Sequence, residues 1–134
     1  MSSSHCTNVF IVEDSPSIRD RLVEMLSDVE GVAVIGAAET PADAIAGILR
    51  AQPDIVILDY QLDGGTAVDV LKAVRPVLPE IVFVVLTNHS SPQYRRACVE
   101  AGARHFLDKS LEFHRVKEII AGAGSRPLQD PAIQ

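Results

Sequence analysis

Residues 53–62 read Pro53-Asp54-Ile55-Val56-Ile57-Leu58-Asp59-Tyr60-Gln61-Leu62, and the fold turns on this stretch. Its apolar run is continuous rather than alternating, bounded by a proline and an acid, and too short for a helix. Such a run marks a strand buried on both faces, as in a parallel sheet. The pattern recurs in Val9-Phe10-Ile11-Val12, Val32-Ala33-Val34-Ile35, Ile81 to Leu86 and, more weakly, His105-Phe106-Leu107. Between these runs the apolar residues fall three or four apart, as on one face of a helix. The stripes are Ile18, Leu22, Leu26 and Val29; Ile45, Ile48 and Leu49; Val70, Leu71 and Val74; Tyr94, Ala97, Cys98 and Ala101; and Val116, Ile119, Ile120 and Ala123.

The punctuation agrees. Ser15-Pro16, Thr40-Pro41 and Ser91-Pro92 each read as an N-cap followed by proline at the first helical position. Asp43, three residues after Thr40, is placed to close a capping box. Gly31, Pro53, Pro76 and Gly102 stop the helices before them. Five strands alternating with five helices imply right-handed βαβ units and a parallel sheet covered on both faces. The expected fold is therefore α/β, a doubly wound (βα)5 open sandwich.

With 134 residues, the chain has room for one such domain. Hydrophobic residues at 47% and mixed charges exclude a disordered chain, and a net charge of −6 argues against a non-specific nucleic-acid binder. No apolar run reaches the roughly 18 residues of a membrane span, and the start, MSSSHCTN, lacks the regions of a signal peptide. Cys6 and Cys98 have no metal-type spacing and read as reduced thiols. A cytoplasmic protein is expected, with no membrane contact and no direct nucleic-acid binding.

In an open parallel sheet the ligand site lies beyond the carboxyl ends of the strands. Strand 1 ends in Glu13-Asp14, strand 3 in Asp59, strand 4 in Thr87 and strand 5 in Asp108-Lys109, whereas strand 2 ends in Ala37-Ala38 and offers nothing polar. Any one of these acids alone would be an ordinary loop residue or helix cap; together they share a rim and complement one another. Three close carboxylates repel unless a cation intervenes. Hard oxygen ligands in an open site suit Mg²⁺, which keeps waters for phosphate oxygens. Lys109 adds a positive charge for an anion and Thr87 a hydroxyl donor. A carboxylate nucleophile, Asp59, completes the parts that phosphoryl transfer needs.

At these residues the chain resembles the response-regulator receiver domains of two-component signalling. The likeness runs through VFIVEDSPSIRDRLVEML, PDIVILDYQLDGGTAVDVL, VFVVLTNHS and AGARHFLDKSLEFHRV, from about Asn8 to Gly122. It implies a flavodoxin-like sheet of strand order 2-1-3-4-5, with residues 1–7 as an extension, 8–124 as the receiver domain and 125–134 as a tail or linker. It implies Asp59 as phosphoacceptor, with Glu13, Asp14, Asp59 and the Gln61 carbonyl as Mg²⁺ ligands. Thr87 and Lys109 would contact the phosphoryl group, Thr87 and Phe106 would form the switch, and Gln61 and His89 would tune dephosphorylation.

The resemblance also implies a phosphorelay role. A histidine kinase or phosphotransfer protein would donate the phosphoryl group to Asp59. The face of helix 4, strand 5 and helix 5, near Arg95, Arg96, Arg104, Arg115 and Lys117, would then change for a downstream protein partner or a phosphorylation-dependent dimer. The chain would not be an enzyme beyond promoting its own phosphorylation and dephosphorylation. It would be a single-domain or isolated receiver, without an output domain in these residues.

There are departures. Ser110 follows Lys109 where many receivers have proline, often with a cis bond, so Ser110 is expected to cap the last helix. Asp63 and Ala67 stand where proline and glycine are common. Two alternatives share the topology. A flavodoxin-like cofactor binder would need a Ser/Thr/Gly-rich loop where Glu13-Asp14 stands, and a phosphorylation-independent receiver-like adaptor would be expected to lack an acid, the threonine or the lysine.

Overall fold

The computed structural model describes residues 6–88 and 91–125. Its main sheet holds β1 (Thr7–Val12), β2 (Val32–Ala38), β3 (Ile55–Asp59), β4 (Val82–Thr87) and β5 (His105–Asp108). All neighbours pair in parallel, in the order β2-β1-β3-β4-β5. The intervening helices are α1 (Pro16–Ser27), α2 (Pro41–Ala51), α3 (Ala67–Val74) and α4 (Pro92–Glu100), with α5 (Arg115–Ser125) last. This is the doubly wound α/β sandwich expected from the sequence.

The continuous apolar runs are explained by two cores, one on each face of the sheet. Phe10, Val12, Val56, Leu58, Phe83, Val85 and Phe106 pack with Ala44, Ile48, Val70, Leu71, Val74 and Cys98 of α2, α3 and α4. Their alternates Val9, Ile11, Ile55, Ile57, Val84, Leu86 and Leu107 pack with Leu22, Leu26, Val116 and Ile120 of α1 and α5. Each fully buried Val, Leu, Ile or Phe is worth about 1.5–3 kcal/mol, so both faces of the central strands stabilise the sheet. Phe10 fits only because two glycines face it. A Cβ at Gly36 of β2 or Gly47 of α2 would lie 2.7 Å from its ring.

The three expected caps form. Ser15, Thr40 and Ser91 accept from the N–H groups of Ile18, Asp43 and Tyr94 at 3.4, 3.2 and 3.1 Å. The reciprocal capping box forms elsewhere, at α3. There Thr66 Oγ1 accepts from Val68 N at 3.2 Å, and Asp69 Oδ2 accepts from Thr66 N at 3.0 Å. It follows a small antiparallel hairpin, Gln61–Leu62 with Gly65–Thr66, whose turn places Gly64 at φ +97°, where the lack of a Cβ relieves strain.

The region after β5 differs from expectation. A one-turn helix, Lys109–Glu112, precedes α5, and its cap is Asp108, not Ser110. Asp108 Oδ1 accepts from the N–H groups of Ser110 and Leu111 at 2.8 and 3.1 Å, and Ser110 Oγ donates to it at 2.7 Å. A carboxylate one residue ahead of the turn reaches its free N–H groups better than a hydroxyl inside the turn. The Lys109–Ser110 bond is trans, as are all described peptide bonds.

Candidate functional site

The strand ends meet at one rim. An open cleft of about 350 Å³ is lined by Glu13, Asp14, Ser15, Ile18, Asp59, Gln61, Thr87, Asn88 and Lys109. β3 carries Asp59 to the floor, where it is 7% exposed. Glu13 follows β1 at 1% exposure, Thr87 closes β4 at 2%, and Lys109 opens the one-turn helix at 9%. Asp14 and Gln61 face solvent at the mouth. Tyr60 N donates to Leu86 O at 2.7 Å, which ties the residue after Asp59 to the neighbouring strand.

One ammonium serves two buried acids. Lys109 Nζ stands 2.9 Å from Glu13 Oε1 and 3.1 Å from Asp59 Oδ1. Ligand oxygens of Glu13, Asp14 and Asp59 all lie within 4.8 Å of one another, the grouping expected of a divalent-cation site. Burial, and then the charge of Glu13, push the Asp59 carboxyl up from 3.8 to about 7 against the opposing pull of Lys109. Glu13 Oε2 accepts from Ser15 N at 3.1 Å, but Glu13 Oε1 is buried without a hydrogen bond. The Lys109 ammonium is the charged partner of this oxygen, and it is shared with Asp59.

The donor set of Glu13, Asp14 and Asp59 fits a metal. Three carboxylates and one ammonium leave two negative charges, with the single cation shared by Glu13 and Asp59. A divalent cation answers that charge, and Mg²⁺ suits hard carboxylate oxygens in a cleft open to water.

Phe106 and Asp108 do not line the cleft. Phe106 is buried in the core that packs on α2, α3 and α4, with the Arg95 guanidinium 6.0 Å from its ring centroid. Asp108 is occupied in capping. His89 lies outside the described residues. Tyr60, next to Asp59, stacks on Tyr94 of α4 with centroids 4.4 Å apart.

Sequence reasoning missed Ser15, Ile18 and Asn88 as lining residues. It also missed Arg19, whose Nη1 donates to Glu13 O at 3.0 Å and to Glu39 Oε2 at 3.2 Å. The available signal was position: Arg19 lies one turn into α1 from the loop that holds the acids.

The described chain has no helix long and apolar enough to cross a membrane. Residues 9–121 match the model of the response regulator receiver domain, and the chain belongs to that family. It is a receiver domain of two-component signalling, whose members bind Mg²⁺ in an acidic pocket and work as phosphoacceptors.

Among curated relatives, a protein-glutamate methylesterase/protein-glutamine glutaminase of Hahella chejuensis is 36% identical over 78% of this chain and 27% of its own length. The DNA-binding transcriptional activator DevR/DosR of Mycobacterium tuberculosis is 27% identical over 91% of this chain and 57% of its own. The chain thus spans about a quarter to just over half of these relatives. Among solved structures, the receiver domain of a NarL regulator from M. tuberculosis superposes with a TM-score of 0.82 at 26% identity, over 91% of this chain and 99% of that one. A LuxO receiver domain from Vibrio parahaemolyticus gives 0.80 at 29%, over 90% and 92%.

Proposed function

We infer that this chain accepts a phosphoryl group on Asp59 in an Mg²⁺-dependent transfer from a phosphohistidine of a histidine kinase or phosphotransfer protein. The observation that carries this reading is the buried Asp59 with Lys109 Nζ at 3.1 Å and two further acids around it. An Asp59 carboxylate oxygen attacks phosphorus. The new O–P bond forms as the donor's N–P bond breaks, and the electron pair leaves with the imidazole. Lys109 neutralises the attacking side and afterwards pairs with a phosphoryl oxygen, with Thr87 as hydroxyl donor to another. Glu13, Asp14 and Asp59, with the Gln61 carbonyl, would hold the metal. When bound, Mg²⁺ supplies charge neutralisation for the transferring oxygens.

The phosphoryl group brings about −1.5 to −2 of charge to the cleft. It draws Lys109 away from Glu13 and Asp59, and Thr87 inward, which biases the face of α4, β5 and α5. Phe106 beneath Arg95 and the Tyr60–Tyr94 stack would carry the change towards that face. A downstream protein partner or a second copy would read the change. Gln61 and His89 would set the phosphoryl lifetime, and residues 8–124 would form the working unit, inside the cell. The acid-lined mouth weighs against the phosphate of a flavin cofactor, and the presence of all three acids, Thr87 and Lys109 weighs against the adaptor.

The test is incubation with acetyl phosphate and Mg²⁺, followed by intact mass. A single phosphoryl adduct is expected, absent when Mg²⁺ is chelated before the donor is added and absent in Asp59→Asn. An adduct that persists in Asp59→Asn overturns the assignment.

A further inference from the structure

We propose that Arg19 and Glu39 form a brace that positions the acid pair for its cation. Arg19 is then a positioning residue that acts through the Glu13 backbone. This deepens the reading of the cleft as an Mg²⁺ site and rests on it.

The geometry closes a ring around Glu13. Its N–H donates to Ala38 O, at the end of β2, at 3.0 Å. Its carbonyl accepts from Arg19 Nη1 at 3.0 Å, and the same nitrogen donates to Glu39 Oε2 at 3.2 Å. Glu39 directly follows Ala38, so both polar backbone groups of Glu13 are tied to one end of β2. The first tie is direct, and the second runs through a charged side chain. Arg19 N also donates to Ser15 O at 3.0 Å, which locks the arginine's own turn to the same loop.

The consequence falls on the peptide between Glu13 and Asp14. Glu13 is packed at 1% exposure and is further held by Ser15 N and Lys109. Asp14 is exposed, so its direction follows its backbone and not its packing. Fixing the Glu13 carbonyl fixes the plane from which Asp14 departs. The edge strand β2 thus serves the site although its own last residues are alanines. An arginine whose only role was charge would do the reverse, since a cation near the cleft opposes a second cation. That difference in sign makes the brace testable. Residues that orient metal ligands typically contribute about 10–100-fold to affinity.

The experiment titrates the chain with Mg²⁺ alone, without phosphodonor. It follows the fluorescence of the two tyrosines, of which Tyr60 adjoins Asp59, in a chain with no tryptophan. Wild type is expected to show saturable binding that Asp59→Asn weakens. Arg19→Met is expected to raise the dissociation constant about tenfold at unchanged circular dichroism. Glu39→Gln is expected to weaken binding in wild type but to have little further effect in Arg19→Met. Arg19→Lys keeps the charge while replacing the guanidinium fork. It is expected to weaken binding by a few-fold and serves where Arg19→Met does not fold.

Unchanged or tighter binding in Arg19→Met, or additive effects of the two substitutions, overturns the brace. Where Arg19→Met does not fold, unchanged binding in Arg19→Lys does so. Failure of wild type itself to bind Mg²⁺ overturns the underlying site reading, and is distinguishable because every variant then behaves alike.

Discussion

Asp59 should make the metal-free protein less stable as pH rises, and the effect should vanish in Asp59→Asn. Its carboxyl is held at about 7 in the fold, chiefly by burial and then by Glu13, against 3.8 for the ordinary group. A folded value above the unfolded one means that the native state keeps the proton longer. The stabilisation is therefore complete below about pH 4 and is lost as pH rises through about 7. At about 1.4 kcal/mol per unit, a rise of this size sets a ceiling near 4 kcal/mol. The open mouth of the cleft screens part of it, so about 2 kcal/mol is expected between pH 4 and 8.

The assay is urea unfolding by far-ultraviolet circular dichroism, in chelator, at intervals across that range. His105 slopes the other way: burial, with Arg104 and Arg115 behind it, lowers its value, so its share of stability grows as pH rises towards 6.5. The quantity to plot is therefore wild type minus Asp59→Asn, in which His105 cancels. With a urea dependence of about 1–3 kcal/mol per molar, the midpoint difference should change by about 1 M. Saturating Mg²⁺ should flatten the curve. A difference that stays level with pH, or that favours wild type at alkaline pH in chelator, refutes the electrostatic account of the cleft.

Other outcomes follow from the same coordinates. Lys109→Met leaves Glu13 and Asp59 buried without their shared cation and should destabilise the metal-free protein by about 3 kcal/mol or more, measured by urea unfolding. The loss should shrink in an Asp59→Asn background. Gly47→Ala gains about 1 kcal/mol of helix propensity, but the new Cβ meets the Phe10 ring at 2.7 Å, so thermal melting should show a net loss of about 1–2 kcal/mol. The Cys98 thiol is buried and pushed up to about 11, whereas Cys6 is exposed. Iodoacetamide at pH 8 should therefore add one label to the native chain and two after denaturation, read by intact mass.

The fold was legible because its signal is redundant. Each central strand is apolar on both faces, and each of three helices opens with a hydroxyl-proline pair, so an error at one element would not have changed the topology. The carboxylates were legible because a parallel sheet delivers strand ends to a common rim, and position alone picked out Glu13, Asp59 and Lys109. The brace was not legible, since it joins residues 20 apart through the tip of a long side chain. Pattern reasoning registers where a helix faces, not where a guanidinium ends. The cap at Asp108 was missed for a related reason. Its carboxylate was assigned to a strand end, and a one-turn helix is too short to leave a period.

The cleft is poorly arranged for stability and well arranged for response. A neutral or apolar replacement for its buried charges would commonly hold the fold as well or better. What such a replacement would lose is sensitivity. In the folded chain one lysine divides its charge between two acids, and the Asp59 proton is held near neutral pH. A cation would relieve the shared charge, and a phosphoryl group on Asp59 would offer Lys109 a new partner. On the proposed reading, each would convert binding into a change in where Lys109 sits. Because Lys109 begins the segment that leads into α5, and Tyr60 stacks on α4, a rearrangement here would reach the two helices that flank β5. On that reading, the excess negative charge at the rim would drive the switch as well as bind its ligand.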